Sequence, residues 1–428
     1  MSAVAFVLLA LLVVFTALGI PIAFSLALAS LGALIAQGAV PLVVVPQRLF
    51  TAADSFALLA VPFFILAGEI MQQGGISRRL VAFANDLLGW ISGGLALVSI
   101  AASAFFAAIS GSGAATTAAI GGVMYPEMKK RGYAPDFAAA IQALGGTLGI
   151  VIPPSIPFVV YGIITGASVG ALFLSGVVPG VLGALAYMFL AYALSRRAGY
   201  HSGERAGFGR LWRSFREAFW GLLMPLIILG GIYGGVFTPT EAAVVAVVYA
   251  LAVALFIYRE IGLQDLRGIF VSAGLTSAMV MLLIATAALF GWVMTRENIP
   301  QQLARAIVTV AGTPLSFLLL VNLIYFIAGM LLDTVAVILL LVPILYPIAA
   351  QLGIDPVHFG LVTVFNLGIG QITPPFGVCL FVSSGISGVS LERITRAIWP
   401  FFVLAAALII LYTYVPALSL WLPAFLKG

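Results

Sequence analysis

The sequence predicts an all-α polytopic membrane protein that contains two inverted repeats. Three observations support this fold class. The 428 residues are 63% hydrophobic and only 8% charged, long apolar stretches fill nearly the whole chain, and glycine and proline recur at matched positions in the two halves. A soluble domain is usually about half apolar and roughly a quarter charged. The composition therefore excludes a cytosolic enzyme, a nucleic-acid-binding protein and a secreted disulfide-stabilised domain.

The charged residues indicate a membrane topology, and the few cysteines and histidines exclude further classes of protein. We interpret the formal net charge of +5 as a topology signal, because short cytoplasmic loops of membrane proteins are enriched in lysine and arginine. One cysteine, Cys379, rules out an intrachain disulfide, and two histidines, His201 and His358, leave little for a conventional metal site. We expect no transition metal, no organic cofactor and no nucleic-acid partner.

Apolar stretches of about 20 residues are long enough to cross a hydrocarbon layer of roughly 30 Å. The first stretch lacks a basic n-region and a small-residue cleavage site, so we expect it to be retained as a span. The predicted crossings are 4–20, 22–37, 55–74, 135–165, 168–198, 218–236, 240–258, 271–295, 356–387 and 396–422.

Two other apolar blocks, 89–128 and 312–350, are predicted to be re-entrant hairpins. Each has a polar break in its middle, at Ser110-Gly111-Ser112-Gly113 and at Leu332-Asp333-Thr334, which divides the block into two half-length helices. The alternative is a pair of full crossings in each block. That alternative needs a hydrophilic turn at the far membrane face, and these turns are small and weakly polar.

The distribution of lysine and arginine predicts the orientation. Segment 196–216 holds six of the 19 basic residues, and Lys129-Lys130-Arg131 holds three more. Placing both segments in the cytoplasm leaves both termini on the opposite side of the membrane. The first hairpin then enters from the cytoplasm and the second from the other face.

An internal repeat relates the two halves of the chain. An offset of 221 residues pairs Tyr125-Pro126 with Tyr346-Pro347, Gly132 with Gly353, Pro135 with Pro356, Gly149 with Gly370, and Pro153-Pro154 with Pro374-Pro375; an offset of 223 pairs Gly68, Met71, Ile76 and Leu80 with Gly291, Met294, Ile299 and Leu303. Inverted repeats with interrupted helices are typical of secondary transporters. The alternative, that apolar helices simply resemble each other, does not explain why the shared residues are helix breakers.

The repeat predicts the domain organisation. Each copy consists of a crossing, a short amphipathic arm (76–87 or 298–309), a hairpin and an interrupted crossing. The predicted parts are scaffold helices in 1–54, repeat 1 in 55–198 with its interrupted helix at 135–165, a cytoplasmic loop in 199–217, scaffold helices in 218–258, and repeat 2 in 259–428 with its interrupted helix at 356–387 and a last helix.

The interrupted segments 145–155 and 366–377 are the predicted functional sites. Proline removes a backbone N–H donor, and an unpaired carbonyl in hydrocarbon is costly unless protein or an ion satisfies it. Carbonyl and hydroxyl oxygens gathered at such breaks suit Na⁺, and helix N-termini suit an anionic substrate. The alternative is that each double proline merely kinks a long helix. The candidates for a substrate site or for coupling are Ser112, Thr147, Ser155, Asp333 and Asn366.

Two carboxylates have alternative interpretations. Asp333 is the one acid at the polar break of a hairpin, and an ionisable group at that depth is a functional candidate; it could also cap the helix that follows. Glu241 follows Thr238-Pro239-Thr240 at a helix start, and we expect it to take part in N-terminal capping rather than to bind an ion.

Other classes of function fit less well. An intramembrane serine protease could use Ser112, but nucleophilic catalysis needs a base within hydrogen-bond reach, and neither histidine is placed near it. An ATP-driven pump is disfavoured because no phosphate-binding G-x-x-x-x-G-K-[ST] motif is present. A passive channel fits paired breaks less well than alternating access does. We therefore expect a transporter and no enzymatic activity.

Five motifs resemble those of the large membrane subunit (DctM-like) of tripartite ATP-independent periplasmic (TRAP) transporters. They are Ser110-Gly111-Ser112-Gly113, Pro126-Glu127-Met128-Lys129-Lys130-Arg131-Gly132-Tyr133, Ile152-Pro153-Pro154-Ser155, Thr238-Pro239-Thr240-Glu241-Ala242-Ala243 and Ile372-Thr373-Pro374-Pro375-Phe376-Gly377. The resemblance extends over essentially the whole chain. It implies an elevator-type fold of the ion-transporter superfamily, located in the bacterial inner membrane with both termini periplasmic.

The resemblance also implies a function and partners. The expected activity is Na⁺-coupled import of a small organic acid, which a periplasmic binding protein delivers. A small four-helix membrane subunit is expected as a separate chain, because nothing precedes the first span. A stand-alone dicarboxylate or citrate symporter remains the alternative. The sequence does not identify the substrate.

By the family pattern, sodium would bind at two matched sites. One site would use backbone or side-chain oxygens of Ser110, Gly149, Ile152 and Pro154, and its inverted counterpart those of Gly329, Gly370, Thr373 and Phe376. Phe376 departs from the smaller residue expected at its position. The departure is harmless if its carbonyl is the ligand.

Overall fold

The computed structural model describes residues 3–200 and 203–427, except for the side chains of residues 304, 306, 308, 310 and 427. His201 lies outside the described residues. The described part of the chain consists of α-helices joined by short loops, with one 3₁₀ turn and one π-helical turn and no strand. The predicted all-α fold class is confirmed.

The first half of the chain contains ten α-helices within the described residues. They are α1 (Ala3–Ala17), α2 (Ile22–Gln37), α3 (Val44–Ala53), α4 (Ala60–Gln73), which follows the 3₁₀ turn Phe56–Leu59, α5 (Ile76–Leu88), α6 (Gly94–Ser110), α7 (Gly113–Lys130), α8 (Pro135–Val151), α9 (Ile156–Thr165) and α10 (Val169–Arg197).

The second half repeats much of this order. Its helices are α11 (Phe208–Tyr233), α12 (Pro239–Ala252), which continues into the π turn Val253–Ile257, α13 (Leu263–Arg296), α14 (Ile299–Val310), α15 (Pro314–Leu331), α16 (Thr334–Gln351), α17 (Pro356–Gly370), α18 (Val378–Ser387), α19 (Leu391–Tyr414) and α20 (Ala417–Lys427). The helix pair α6–α7 lies at the first predicted hairpin and α15–α16 at the second. The helix pairs α8–α9 and α17–α18 lie at the two interrupted crossings.

Nine helical stretches in the described ranges are long and apolar enough to cross a membrane. The fraction of each stretch that is buried inside the protein differs, and the stretch with the double proline is the more buried of the two compared here. The most apolar window of Pro135–Thr165 is 83% buried inside the protein, whereas that of Phe208–Tyr233 is 22% buried. A broken helix exposes backbone polar groups, which hydrocarbon does not tolerate. The interruption between α8 and α9 is accordingly enclosed by protein, while α11 faces outward.

The two halves contact each other in a reciprocal pattern. The hairpin α6–α7 packs on α8, and the hairpin α15–α16 packs on α17. The second half of each broken helix then crosses to the other repeat, so that α18 packs on α7 and α9 packs on α16. Each broken helix is therefore held by both hairpins. The re-entrant course and the inverted orientation of the repeats stay predictions.

The remaining helices form a layer around this centre. Helix α2 packs on α1 and α13, α12 packs on α4, and α11 packs on α5. Three ion pairs hold α5 in place: Arg78 and Arg79 contact Glu260 at 2.8 and 2.9 Å, and Arg210 contacts the buried carboxylate of Asp86 at 2.7 Å. These ion pairs join the first amphipathic arm to the start of α11 and to the segment that follows the π turn after α12.

Some sequence predictions need correction at the helix ends. The crossing predicted at 396–422 is wrong in its extent, because the structure ends α19 at Tyr414 and begins a separate α20 at Ala417. Pro416 has no N–H with which to continue the helical hydrogen bonds. Helix α3 lies in a region where no crossing was predicted. Helix α13 begins at Leu263, eight residues before the predicted crossing at 271.

The capping prediction for Glu241 is confirmed. The Thr238 Oγ1 accepts a hydrogen bond from the Glu241 N–H at 3.3 Å, and the Glu241 carboxylate accepts one from the Thr238 N–H at 2.8 Å. This reciprocal pair is a capping box, which satisfies N–H groups that have no partner within the helix. Glu241 therefore has a structural role at the start of α12.

Candidate functional site: two broken helices against two hairpin tips

The first break separates α8 from α9 at residues 152–155. Pro153 and Pro154 cannot donate backbone hydrogen bonds, so the helix ends at Val151. Ser155 then starts the next helix, because its Oγ accepts a hydrogen bond from the Phe158 N–H at 3.5 Å and donates one to the Ile150 carbonyl. The peptide bond between the two prolines is cis, as is the matching bond between Pro374 and Pro375.

The first hairpin tip turns at Gly111, which adopts a positive φ of 60°. Few residues other than glycine accept this conformation. Ser112 caps α7, since its Oγ accepts a hydrogen bond from the Ala115 N–H at 3.4 Å. The hydroxyl groups of Ser110 and Thr116 are hydrogen-bonded at 2.8 Å. The tip therefore gathers hydroxyl oxygens from both hairpin helices.

This tip lies directly against the first break. The Ile156 N–H donates to the Gly111 carbonyl at 3.3 Å. A Cβ placed on Gly149 would lie 2.5 Å from the Ser112 carbonyl oxygen and 2.6 Å from the Thr116 Oγ1. Glycine at position 149 is thus required by close approach of backbone to backbone. Oxygens of the hairpin and of the broken helix converge there, and this chemistry suits a small hard cation.

The second break is longer and separates α17 from α18 at residues 371–377. The Phe376 N–H donates to the Met330 carbonyl at 3.0 Å, which joins the break to the end of α15. Asp333 caps α16 by accepting from the Val335 N–H at 2.9 Å. The proposed capping role of Asp333 is therefore seen, and the residue is exposed at the tip.

Gly329 and Gly370 form a close backbone contact between the second tip and the end of α17. A Cβ on Gly370 would lie 2.6 to 2.7 Å from the carbonyl carbon, Cα and oxygen of Gly329. The Thr373 hydroxyl is buried in the same break and donates to the Ile369 carbonyl at 2.7 Å. Backbone atoms of the tip thus contact the end of α17, and a threonine hydroxyl lies in the break that follows it.

The structure brings most of the predicted site residues to these two places. Ser110, Ser112, Gly149, Pro154 and Ser155 lie at the first, and Gly329, Asp333, Gly370, Thr373 and Phe376 lie at the second. The Phe376 side chain is exposed and contacts Phe381, with ring centroids 5.9 Å apart. It therefore does not enter the break, in agreement with a role for the backbone alone.

Ile152 belongs to the first break, and its side chain packs toward Gly180 of α10. Two predicted residues, Thr147 and Asn366, lie outside the breaks. The Thr147 hydroxyl donates to Leu144 within its own helix at 2.8 Å, and a Cβ on Gly368 would lie 3.6 Å from the Thr147 carbonyl oxygen. Asn366 donates to the Asn322 side chain at 2.9 Å. Thr147 therefore lies where α8 contacts α17, and Asn366 links α17 to α15 by a hydrogen bond.

Several polar residues at the breaks and hairpin tips were not predicted from the sequence. They are Thr116, Thr334, Gln371 and Cys379. Asn322, the partner of Asn366 in α15, was not predicted either. Thr116 could have been found, because it follows Ser112 by one helical turn and so lies on the same helix face. The contacts of Gln371 and Cys379 depend on segments that are distant in sequence.

A helical membrane protein in which two helices break against two hairpin tips has the architecture of a secondary transporter. The structure is similar to that of the YdaH transporter of Alcanivorax borkumensis, with a TM-score of 0.60 and 15% identity over 89% of this chain and 87% of that one. It is also similar to MtrF of Neisseria gonorrhoeae, with a TM-score of 0.59 and 15% identity over 89% and 84% of the two chains. At this identity the likeness concerns the fold alone.

The sequence comparisons identify the family. Residues 9–418 match the family described as tripartite ATP-independent periplasmic transporter, DctM component. The chain belongs to this family, and it is a TRAP transporter large permease subunit rather than an enzyme. This confirms the resemblance found in the five motifs.

Named relatives cover nearly all of this chain. The C4-dicarboxylate TRAP transporter large permease protein DctM of Rhodobacter capsulatus is 40% identical over 99% of both chains. The sialic acid TRAP transporter large permease protein SiaM of Vibrio cholerae is 39% identical over 96% of both. The isethionate TRAP transporter permease protein DctMQ of Oleidesulfovibrio alaskensis is 44% identical over 97% of this chain, which spans 65% of that longer protein.

Proposed function

We propose that this permease subunit imports an organic acid by sodium-coupled, elevator-type alternating access. The single observation that carries the proposal is the matched packing of a hairpin tip against a broken helix at two places. The relatives named above are described as transporters of C4-dicarboxylate, sialic acid and isethionate. All three are organic anions, which supports an organic acid as the substrate class here.

Sodium is the proposed coupling ion because of the donor types at the two breaks. The first proposed site uses Ser110, Gly149, Ile152 and Pro154, and the second uses Gly329, Gly370, Thr373 and Phe376. Hard cations prefer carbonyl and hydroxyl oxygens. Each proposed site combines oxygens of a hairpin with those of a broken helix, so binding would hold the tip closed over the substrate. The starts of α7 and α16, with Ser112 and Asp333 as their caps, are the proposed substrate-facing ends.

The proposed moving part consists of both hairpins and both broken helices, and the scaffold consists of 4–37, 218–258 and the arms. Support comes from a cavity of about 580 Å³ between α9, which belongs to the moving part, and the end of α11, which belongs to the scaffold. The cavity is lined mainly by apolar side chains that include Val159, Leu174 and Phe237. Beside it, the Tyr233 hydroxyl of α11 donates to the Gly170 carbonyl of α10 at 3.1 Å. Apolar contacts with few polar links permit sliding without leaving buried polar groups unpaired.

The proposed partners are a periplasmic binding protein and a small four-helix membrane subunit on a separate chain. The relative named DctMQ, which is longer than this chain, supports a functional association with a second membrane component. We further propose that the protein resides in the bacterial inner membrane with both termini in the periplasm. The cluster of arginines between 196 and 216 supports that orientation.

The test is uptake into proteoliposomes that contain this subunit and its small subunit, with the binding protein and a radiolabelled C4-dicarboxylate, sialic acid or isethionate outside. Uptake should require an inward sodium gradient, and collapsing that gradient should abolish it. Flux that is independent of the gradient would contradict sodium coupling. Equal uptake without the binding protein would instead favour a stand-alone symporter.

A further inference from the structure

Gln371 occupies an unusual place between the two repeats. It follows Gly370 at the start of the second break, and its side chain is buried, with the residue 6% exposed. The Gln371 Nε2 donates to the Thr334 hydroxyl at 2.9 Å, and its Oε1 accepts from the Cys379 thiol at 3.2 Å. Thr334 is the first residue of α16, so this amide joins the second break to the second hairpin.

The same amide also reaches the first hairpin. A Cβ placed on Gly113 would overlap the Gln371 Oε1. Gly113 is the first residue of α7, and it is related to Thr334 by the offset of 221 residues that relates the two repeats. The Gln371 side chain therefore lies between equivalent positions of the two hairpins. The residue of repeat 1 that corresponds to Gln371 at that offset is Ile150. The contact between the two hairpins is therefore made by Gln371 of repeat 2 and is not duplicated by its counterpart.

Cys379 completes the junction on the side of the first broken helix. A Cβ on Gly146 would lie 2.7 Å from the Cys379 Sγ, and the Cys379 N–H donates to the Gln371 carbonyl at 3.0 Å. The two side chains thus fill the space left by two glycines of repeat 1. Both hairpins and both broken helices meet at this one pair of residues.

We propose that Gln371 is a positioning residue that links the two hairpin tips, so that closure of one tip by sodium favours closure of the other. The inference rests on the proposed function, because it assigns one sodium ion to each tip. Two binding sites are coupled when ligand binding at either site shifts the conformation of the same structural element. A buried amide in contact with both tips meets that requirement, since neither tip can move away without breaking its contacts.

The first experiment measures sodium dependence of uptake for Gln371→Met, which keeps the length of the side chain and removes both hydrogen bonds. Wild-type uptake should rise cooperatively with sodium. The variant should lose that cooperativity, with a Hill coefficient of about 1, and need roughly fivefold or more sodium for half-maximal uptake. Maximal uptake at saturating sodium should be retained. A cooperative, unshifted sodium curve for Gln371→Met would overturn the proposal.

Two further variants separate coupling from a structural effect. Thr334→Val removes the hydroxyl that Gln371 contacts, and should shift the curve in the same direction; combined with Gln371→Met it should add little, because both changes remove the same hydrogen bond. Gln142→Met is the matched control. Gln142 is also buried and donates to Ser99 at 3.2 Å within repeat 1, so its loss should leave cooperativity unchanged. Additive shifts, or an equal loss in the control, would contradict the proposal.

A readout that does not depend on transport uses Cys379, the one cysteine of the chain. Its thiol is fully buried at the junction. Gln371→Met should increase the rate at which N-ethylmaleimide labels Cys379, and Gln142→Met should not. Faster labelling together with sodium-independent wild-type uptake would retain the link between the hairpins and reject the proposed sodium coupling. An unchanged labelling rate in Gln371→Met and in Thr334→Val would reject the link itself.

Discussion

Gly370 of the second broken helix lies with its Cα directly against the backbone of Gly329 at the hairpin tip. A Cβ on Gly370 would lie 2.7 Å from the Gly329 Cα, closer than real Cβ contacts. The neighbouring atoms are backbone, which cannot rotate aside as a side chain can. This contact therefore determines how near the second tip can approach the second break.

Gly370→Ala should keep the second tip from closing. Overpacking of a tight contact usually costs about 1–3 kcal/mol, which corresponds to roughly a fivefold to 150-fold weaker apparent sodium affinity. The measurement is the sodium dependence of uptake in proteoliposomes. Gly385→Ala in α18 is the control, because a Cβ there meets open space and alanine favours the helix. Equal sodium affinities for the two variants would contradict the role given to Gly370.

Ser110→Ala should weaken sodium binding at the first tip. The change removes a hydroxyl that is hydrogen-bonded to Thr116 at 2.8 Å and lies beside the Ser112 N–H at 3.4 Å. Loss of one such interaction is expected to cost about 1–3 kcal/mol, seen as a higher half-saturating sodium concentration with maximal uptake preserved. Ser175→Ala is matched, since Ser175 is buried and bonds to its own helix at 2.7 Å. If both variants behave alike, Ser110 is structural.

The charge and the capping role of Asp333 can be separated by two substitutions. Asp333→Asn keeps a side-chain acceptor for the Val335 N–H and removes the charge, whereas Asp333→Ala removes both. We expect thermal stability to fall by about 1 kcal/mol in the alanine variant alone, the usual cost of losing a cap. Sodium-driven uptake should fall in both. Normal uptake by Asp333→Asn would limit Asp333 to capping.

Arg210→Met should destabilise the first arm. Arg210 pairs at 2.7 Å with Asp86, whose side chain is only 7% exposed, while Arg210 itself is 62% exposed. Solvent weakens the pair, so we expect a loss of about 1 kcal/mol or less in thermal unfolding monitored by tryptophan fluorescence. Arg396→Met removes an exposed pair with Glu392, whose side chains are 78% and 75% exposed, and should have a smaller effect. The opposite ranking would argue against a structural role for the Asp86 pair.

The positions of both breaks could be predicted from sequence because glycine and proline act on the backbone directly. Pro153, Pro154, Pro374 and Pro375 remove N–H donors wherever they lie, so the helix ends at Val151 and Gly370 follow from local chemistry. The helix α2 and both arms were predicted within about one residue for the same kind of reason. The polar turns at the hairpin tips likewise follow from local sequence.

What could not be predicted depends on tertiary packing. Gln371 looks from the sequence like one more polar residue in a break, and its contacts with Gly113 and Thr334 arise only when both hairpins are in place. The pairing of Asn366 with Asn322 likewise joins segments that are distant in sequence, and the role of Asn366 as a site residue stays a prediction. The division at Pro416 was missed since a single proline also occurs inside uninterrupted helices here, as Pro126 does in α7.

The most direct test of the central claim measures ²²Na⁺ and labelled substrate together in the same proteoliposomes, with the binding protein present. We predict that wild-type protein takes up ²²Na⁺ in proportion to substrate, and that Ser110→Ala and Gly370→Ala each require more sodium for both fluxes. Accumulation of substrate with no accompanying ²²Na⁺ entry would show that the oxygens at the two breaks do not carry the coupling ion.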